Sequence, residues 1–220
     1  PPNKASGKAE TTDYVAANVL PYLDAARSDL FVSSAYFVPR RRGTELLSGI
    51  SARGVEVSVL TNSLDSTDVM PVYGNYARSR KALLDAGVAL WELRPDGSRP
   101  DRERLGLGLS QSSLHTKAFA IDRHYLFVGS FNWDPRSVHI NNEMGVLMDS
   151  PALASQAVRM FQDHIRRNAY ELRLDENGSI DWYAQADEKT MVLHKNEPSE
   201  SAWRMFMARL YGFLPIGGLL

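Results

Sequence analysis

Leu114-His115-Thr116-Lys117-Ala118-Phe119-Ala120-Ile121-Asp122, continuing through Leu126-Phe127-Val128-Gly129-Ser130-Phe131-Asn132 to Asn142-Glu143, is the stretch on which the reading of this chain turns. Two apolar runs flank Arg123-His124 as the strands of a hairpin do. With Arg123-His124 as a two-residue loop, Asp122 faces Tyr125, Lys117 faces Ser130 and His115 faces Asn132. Residues two apart share a strand face and cross-strand partners project to the same side, so an imidazole, an ammonium, a hydroxyl and an amide converge. Phe119 and Ile121 continue that face into the core.

This set of groups suits an anionic phosphodiester. A neutral imidazole at His115 can attack phosphorus, splitting one difficult displacement into two through a phosphohistidine. Lys117 offsets charge on the nonbridging oxygens, while Asn132 and Ser130 supply hydrogen bonds to them. Gly129 lets the backbone approach the substrate closely. Glu143, on the next strand, is placed to hold one ring nitrogen of a histidine so that the other faces the substrate. Asp122 completes the candidate catalytic set, although its place at the far end of the strand suits a turn contact better than direct chemistry. The scheme requires no metal and no cofactor, and the histidines and carboxylates lack the close spacings of metal motifs.

Outward from the hairpin, helices and strands alternate. Thr12 or Asp13 caps a helix to about residue 28, kinked at Pro21, before a buried strand over 30–38. Arg40-Arg41-Arg42 reads as a solvated loop. A helix over 44–53 closed by Gly54, a strand over 55–60, a polar loop over 61–68, a helix over 75–86 closed by Gly87 and a strand over 88–93 follow. A polar loop fills 94–113. Beyond the hairpin come a strand over 142–148, a helix over 150–168, a hairpin turning at Asn177-Gly178 and a helix over 199–211. The alternation predicts an α/β layered domain with a partly parallel sheet over 12–220, with 1–11 as a linker. In the last helix Trp203, Met205, Phe206, Leu210, Tyr211 and Phe213 alternate with Arg204 and Arg209. Packing on the core explains that pattern better than contact with a membrane surface.

Composition sets the limits. A hydrophobic share of 44% in 220 residues builds one core and excludes a disordered or fibrous chain. A net charge of -1 gives no global attraction to nucleic acid or to an anionic membrane, which leaves local patches such as Arg40-Arg41-Arg42. The absence of cysteine excludes disulfides and thiolate metal sites. No apolar run reaches the roughly 20 residues of a membrane span. A start at Pro1 rather than Met reads as a fragment.

His115-x-Lys117, four residues to Asp122 and six more to Gly129-Ser130-x-Asn132 resembles the complete HKD signature of the phospholipase D superfamily, and Glu143 matches its downstream glutamate. Ser33-Ser34-Ala35-Tyr36-Phe37-Val38-Pro39, Leu60-Thr61-Asn62-Ser63-Leu64 and Phe131-Asn132-Trp133-Asp134-Pro135-Arg136-Ser137 extend the similarity to the C-terminal half of bacterial cardiolipin synthases of the C type. Ala35 stands where that group tends to have Pro, and Tyr73 where it has His.

The resemblance implies a layered α/β/α sandwich with a mixed sheet, and a phosphatidyltransferase acting on glycerophospholipids through a phosphohistidine, with His115 as nucleophile or general acid. It implies substrate contacts at Tyr36, Asn62, Asp68 and Arg136, although packing and turn formation account for the first three equally well. Such enzymes use two motifs and one is present. A second half in cis or a homodimer partner is therefore expected, and Glu143 would orient that partner's histidine. The implied location is peripheral, at the cytoplasmic face of a bacterial inner membrane. The alternatives are a phospholipase D releasing phosphatidic acid, a nuclease, or an inert half-domain for membrane docking or dimerisation. Near-neutral charge makes nucleic acid the least expected partner.

Overall fold

In the computed structural model, residues 10, 12, 14–95, 114–186, 190–199 and 201–214 are described. The expected linker and most of the 94–113 loop lie outside them. Three helix-to-strand units open the chain. Helix α1 (Val15–Asp24) leads to strand β1 (Asp29–Ser34), α2 (Arg40–Ala52) to β2 (Glu56–Asn62), and α3 (Met70–Ala77) with α4 (Arg80–Asp85) to β3 (Ala89–Leu93). Gly54 and Gly87 stop α2 and α4 at φ of +88° and +80°, a conformation open to a residue without a Cβ. The helical crossovers make β1, β2 and β3 parallel.

The remaining strands are antiparallel. β4 (Lys117–Ile121) pairs with β1, and β5 (Tyr125–Gly129) and β6 (Gly145–Asp149) extend the sheet to one edge. β7 (Ala169–Leu174), β8 (Ile180–Gln185) and β9 (Met191–His194) extend it to the other, giving the order β6-β5-β4-β1-β2-β3-β7-β8-β9. Helices α5 (Pro135–His139), α6 (Pro151–Asn168) and α7 (Ala202–Phe213) complete the fold.

Alternation along each strand builds a core on both sides. Val32, Val59, Phe119 and Phe127 pack with Leu23, Leu47 and Ile50 on one face. Phe31, Leu60, Ala120 and Leu126 pack with Ala154, Val158 and Phe161 of α6 on the other. The result is the expected α/β/α sandwich with a mixed sheet. Among the described residues no helix is long and apolar enough to cross a membrane.

Several boundaries differ from expectation for local reasons. The three arginines read as a loop form the first turn of α2. The first helix ends at Asp24 rather than about residue 28, and the expected 75–86 helix begins earlier and breaks into α3 and α4. β9 carries too few residues for a periodic signal. Tyr73 is buried, its ring lies 4.7 Å from the Arg80 guanidinium, and its hydroxyl accepts a hydrogen bond from Arg80.

Asp122 sits in the turn between β4 and β5, roughly 20 Å along the chain from His115 at strand rise. Its carboxylate accepts hydrogen bonds from the Arg27, Ser28 and Asp29 amides, at 2.7 Å from Ser28, and from the Ser28 hydroxyl. The expectation of a catalytic Asp122 is therefore corrected: the group clamps the hairpin to the start of β1. Burial pushes its pKa up, but the hydrogen bonds from Ser28 and Arg27 outweigh this and hold it below the ordinary value. A carboxyl lowered on folding stabilises the protein above its unfolded pKa, and that stability is lost as pH falls through the folded one. Asp122→Asn is expected to cost about 2 kcal/mol at neutral pH, the scale of charge-assisted hydrogen bonds. In urea titrations the gap from wild type should narrow as pH falls below the ordinary aspartate range; a gap constant with pH would contradict this account.

Candidate active site

The site stands on Phe119, whose ring stacks on Phe127 at 5.2 Å and meets Phe131 and Trp133 edge-on. This rigid cluster fixes β4, so Lys117 lies opposite Ser34 of β1. The Lys117 ammonium donates to the His115 carbonyl at 2.7 Å and lies 5.9 Å from the centre of the Tyr36 ring. Burial lowers its pKa, and the negative fields of Glu143, Asp68 and Asp134 oppose the drop.

Tyr36 links three of the expected residues. Its amide donates to Asn132 Oδ1 at 3.3 Å, and its hydroxyl donates to Asp68 Oδ2 at 3.0 Å. Burial, reinforced by Asp68, pushes the Tyr36 pKa to about 12, so the hydroxyl keeps its proton. With Oδ1 held by the Tyr36 amide, the Asn132 NH2 is left to donate elsewhere.

Asn62 fixes the chain just before His115. Its amide nitrogen donates to the Ala35 carbonyl at 3.1 Å and the Leu114 carbonyl at 3.3 Å. Its oxygen accepts from the Leu114 amide at 2.8 Å and the Ser66 hydroxyl at 3.1 Å. Both donors and both acceptors are thereby occupied, so Asn62, expected as a substrate contact, instead fixes the backbone just ahead of His115 in this structure. His115 itself is exposed, and its ring has no hydrogen-bond partner among the described residues.

Glu143 is held from both sides. Oε2 accepts from the Ser130 hydroxyl, and Oε1 lies 2.8 Å from the Ser137 hydroxyl. The Ser137 hydroxyl also lies 3.1 Å from Asp134 Oδ2, while the Ser137 amide donates to Asp134 Oδ1 at 2.9 Å to cap α5. Burial raises the Asp134 pKa and the Ser137 hydrogen bonds oppose it. Ser130 thus contributes to orienting Glu143 rather than to an oxyanion contact. Asp134 and Ser137 escaped the sequence reading as site residues, although an Asp followed by Pro is a helix-start signal that could have found them.

The expected hairpin register is one residue out. Ile121, not Asp122, faces Tyr125, and Phe119 faces Phe127. Asp122 and Arg123 turn the chain at φ of 53° and 50°, and His124 donates to the Ile121 carbonyl at 2.9 Å. Lys117 and Ser130, like His115 and Asn132, are not cross-strand pairs. Asn132 reaches the site beyond the end of β5 through Tyr36. Gly129 pairs with Gly145, and a Cβ there would come within 2.7 Å of Gly145 Cα and 2.9 Å of the Phe127 ring. It therefore permits close strand packing rather than close substrate approach. Arg136 is exposed on α5, and its hydrogen bonds with described residues run through its backbone.

Comparison with solved structures defines the class first. A phospholipase D family member, Nuc from Salmonella typhimurium, superposes with a TM-score of 0.55 at 19% identity over 71% of this chain and 90% of its own. A phosphatidylserine synthase from Haemophilus influenzae superposes with a TM-score of 0.55 at 17% identity over 70% of this chain and 36% of its own. The fold is that of the phospholipase D family. The chain belongs to the cardiolipin synthase, PLD-like domain family, whose model matches residues 19–165. It is 39% identical to cardiolipin synthase C of Escherichia coli (strain K12) over 100% of this chain and 46% of that protein. It thus spans about half the length, or less, of the curated relatives it matches.

Proposed function

We propose that this chain is one catalytic half of a phosphatidyltransferase of the cardiolipin synthase type. The 39% identity along the whole chain to a protein of that name carries the reading. The site geometry supplies a chemistry consistent with it. Among the described residues His115 offers an imidazole and Asn132 an NH2 without hydrogen-bond partners, while the Lys117 ammonium donates to the His115 carbonyl and Asn132 Oδ1 accepts from the Tyr36 amide.

In the first step a His115 nitrogen attacks phosphorus of a glycerophospholipid. The new P–N bond forms as the P–O bond to the headgroup alcohol breaks, and that alcohol takes a proton from a general acid in the second half. In the second step a headgroup hydroxyl of another phospholipid loses its proton to the same group and attacks phosphorus. The P–N bond breaks and His115 is regenerated. Lys117 and Asn132 stabilise charge on the nonbridging oxygens in both steps. With its role exchanged, His115 would serve as the general acid for a nucleophile on the partner half.

Glu143, held by Ser130 and Ser137, is assigned to orient the partner half's histidine. The edge strand supports a partner here: beside Glu143, Met144 is 79% exposed and Val146 60% exposed, an apolar surface at what is, among the described residues, an open edge of the sheet. Residues 12–220 form the domain and 1–11 its linker in this reading, which places the enzyme peripherally at the cytoplasmic face of the inner membrane.

The test is to incubate the full-length protein with labelled phosphatidylglycerol. Cardiolipin and glycerol are the expected products. Phosphatidic acid alone would make the protein a phospholipase D, and cleavage of nucleic acid alone a nuclease. No turnover of either would favour an inert half-domain.

A further inference from the structure

Helix α7 has two apolar faces. One, carrying Met205, Ala208, Tyr211 and Gly212, seats against α3. The helices approach so closely that a Cβ on Gly74 would lie 2.9 Å from the Gly212 amide and 3.0 Å from Tyr211 Cβ. The opposite face carries Trp203, Phe206, Leu210 and Phe213, with Leu214 just beyond. There Trp203 is 67% exposed, Phe206 56% and Phe213 86%. A helix apolar on both sides is ordinarily covered on both, and the described residues cover one.

The position of this face in the fold narrows what covers it. At its start, the Arg204 guanidinium donates to the Leu64 and Thr67 carbonyls, each at 2.7 Å. Those carbonyls belong to the loop whose Asp68 holds the Tyr36 hydroxyl, so the helix begins beside the candidate active site. At its other end Leu214 shares a cleft with Arg40, Arg41 and Arg78. Only Arg41 among these has a carboxylate partner in the described residues, Glu45 at 3.1 Å. Arg209 is exposed on the flank of the helix. An aromatic strip bordered by arginines, on a chain of net charge -1, is a local match to an apolar layer beneath anionic headgroups. A second copy seated on this face would bring the same arginines together, and the surface expected to receive a partner half lies at the β6 edge.

We propose that the exposed face of α7 is a membrane-docking surface. Trp203, Phe206, Leu210 and Phe213 enter the headgroup–acyl boundary of an anionic phospholipid bilayer, and Arg40, Arg41, Arg78 and Arg209 meet its phosphates. The inference rests on the reading of the substrate as a membrane phospholipid. It adds a function for α7: holding the candidate active site close to the lipid surface.

The full-length protein is tested by co-sedimentation with vesicles of phosphatidylglycerol mixed with phosphatidylcholine, and of phosphatidylcholine alone. Binding should be stronger to the anionic vesicles. Phe206→Ser combined with Phe213→Ser should weaken it by about tenfold or more, given the apolar area withdrawn. Trp203 emission, isolated by subtracting a Trp203→Phe variant, should be quenched by brominated acyl chains. Turnover of a water-soluble short-chain phosphatidylglycerol should stay within about twofold of wild type in these variants, because they leave the site intact. Unquenched Trp203, or vesicle binding unchanged by the double substitution, overturns the proposal. So does a double variant that turns a dimer into a monomer at unchanged vesicle affinity. Loss of short-chain turnover in the wild type counts against the phosphatidyltransferase reading alone, since Trp203 quenching reports docking without catalysis.

Discussion

Replacing His115 by Ala in the full-length protein is expected to abolish phosphatidyl transfer, with turnover of labelled phosphatidylglycerol falling about 10,000-fold or more, as loss of a covalent nucleophile does. The fold should be untouched, because the ring makes no hydrogen bond with the described residues and lies exposed ahead of β4. Urea midpoints of variant and wild type should therefore coincide. Separating the two readouts matters here, since Asn62 and Lys117 anchor the same segment through its backbone at Leu114 and His115. Transfer within a few-fold of wild type would remove His115 from the mechanism.

The largest stability effect is expected far from that site. Arg80 is buried with its guanidinium 2.9 Å from Glu92 and 3.0 Å from Glu197, lying between the rings of Tyr73 and Tyr76 at 4.7 and 4.8 Å. Glu92 accepts a further hydrogen bond from Trp182 Nε1 at 3.1 Å. Arg80→Met leaves the Glu92 carboxylate buried without its counter-charge, at a cost of about 3–5 kcal/mol in unfolding free energy. Burial raises the Glu92 pKa and the Arg80 charge opposes the rise, so removing Arg80 raises it further. A carboxyl raised on folding contributes stability below its unfolded value of about 4.5, and loses it as pH rises through the folded one. The Arg80→Met penalty should accordingly be greatest at neutral pH and shrink in acid. Adding Glu92→Leu should recover much of it, because the more deeply buried of the two carboxylates that lose Arg80 is then gone. A penalty independent of pH, or undiminished in the double variant, would contradict the ion-pair account.

These two cases mark where sequence reading succeeds and where it stops. The alternation of helix and strand was legible because Gly54 and Gly87 punctuate it, and the strand cores because Val57, Val59, Phe119 and Ile121 repeat at the right interval. Grouping His115, Lys117, Asn132 and Glu143 was possible from spacing, but the register that first justified it was wrong. Arg123-His124 is a poor turn pair, and the chain turns instead at Asp122-Arg123, where positive φ is sustained by long-range hydrogen bonds to Arg27, Ser28 and Asp29. No local signal encodes that contact. Asn62 and Ser130 carry polar groups that looked suited to a substrate, yet both are taken up by neighbours that become adjacent only on folding. Arg80 and Glu92 likewise become partners only on folding, from a helix and the strand that follows it.

The seat of β4 also bears on the order in which the candidate site is assembled. On one side β4 meets β5, its neighbour in the chain, and on the other β1, laid down near the start of the domain. Local hairpins close in microseconds, whereas pairings between distant segments wait on the closure of long loops. Lys117 takes its place opposite Ser34, and Asp122 finds its amides, in that slow step. Until then β1 presents the apolar run Leu30, Phe31 and Val32 on an open edge, where another chain can pair with it. The placing of Lys117 and the covering of this apolar edge therefore belong to one and the same long-range pairing.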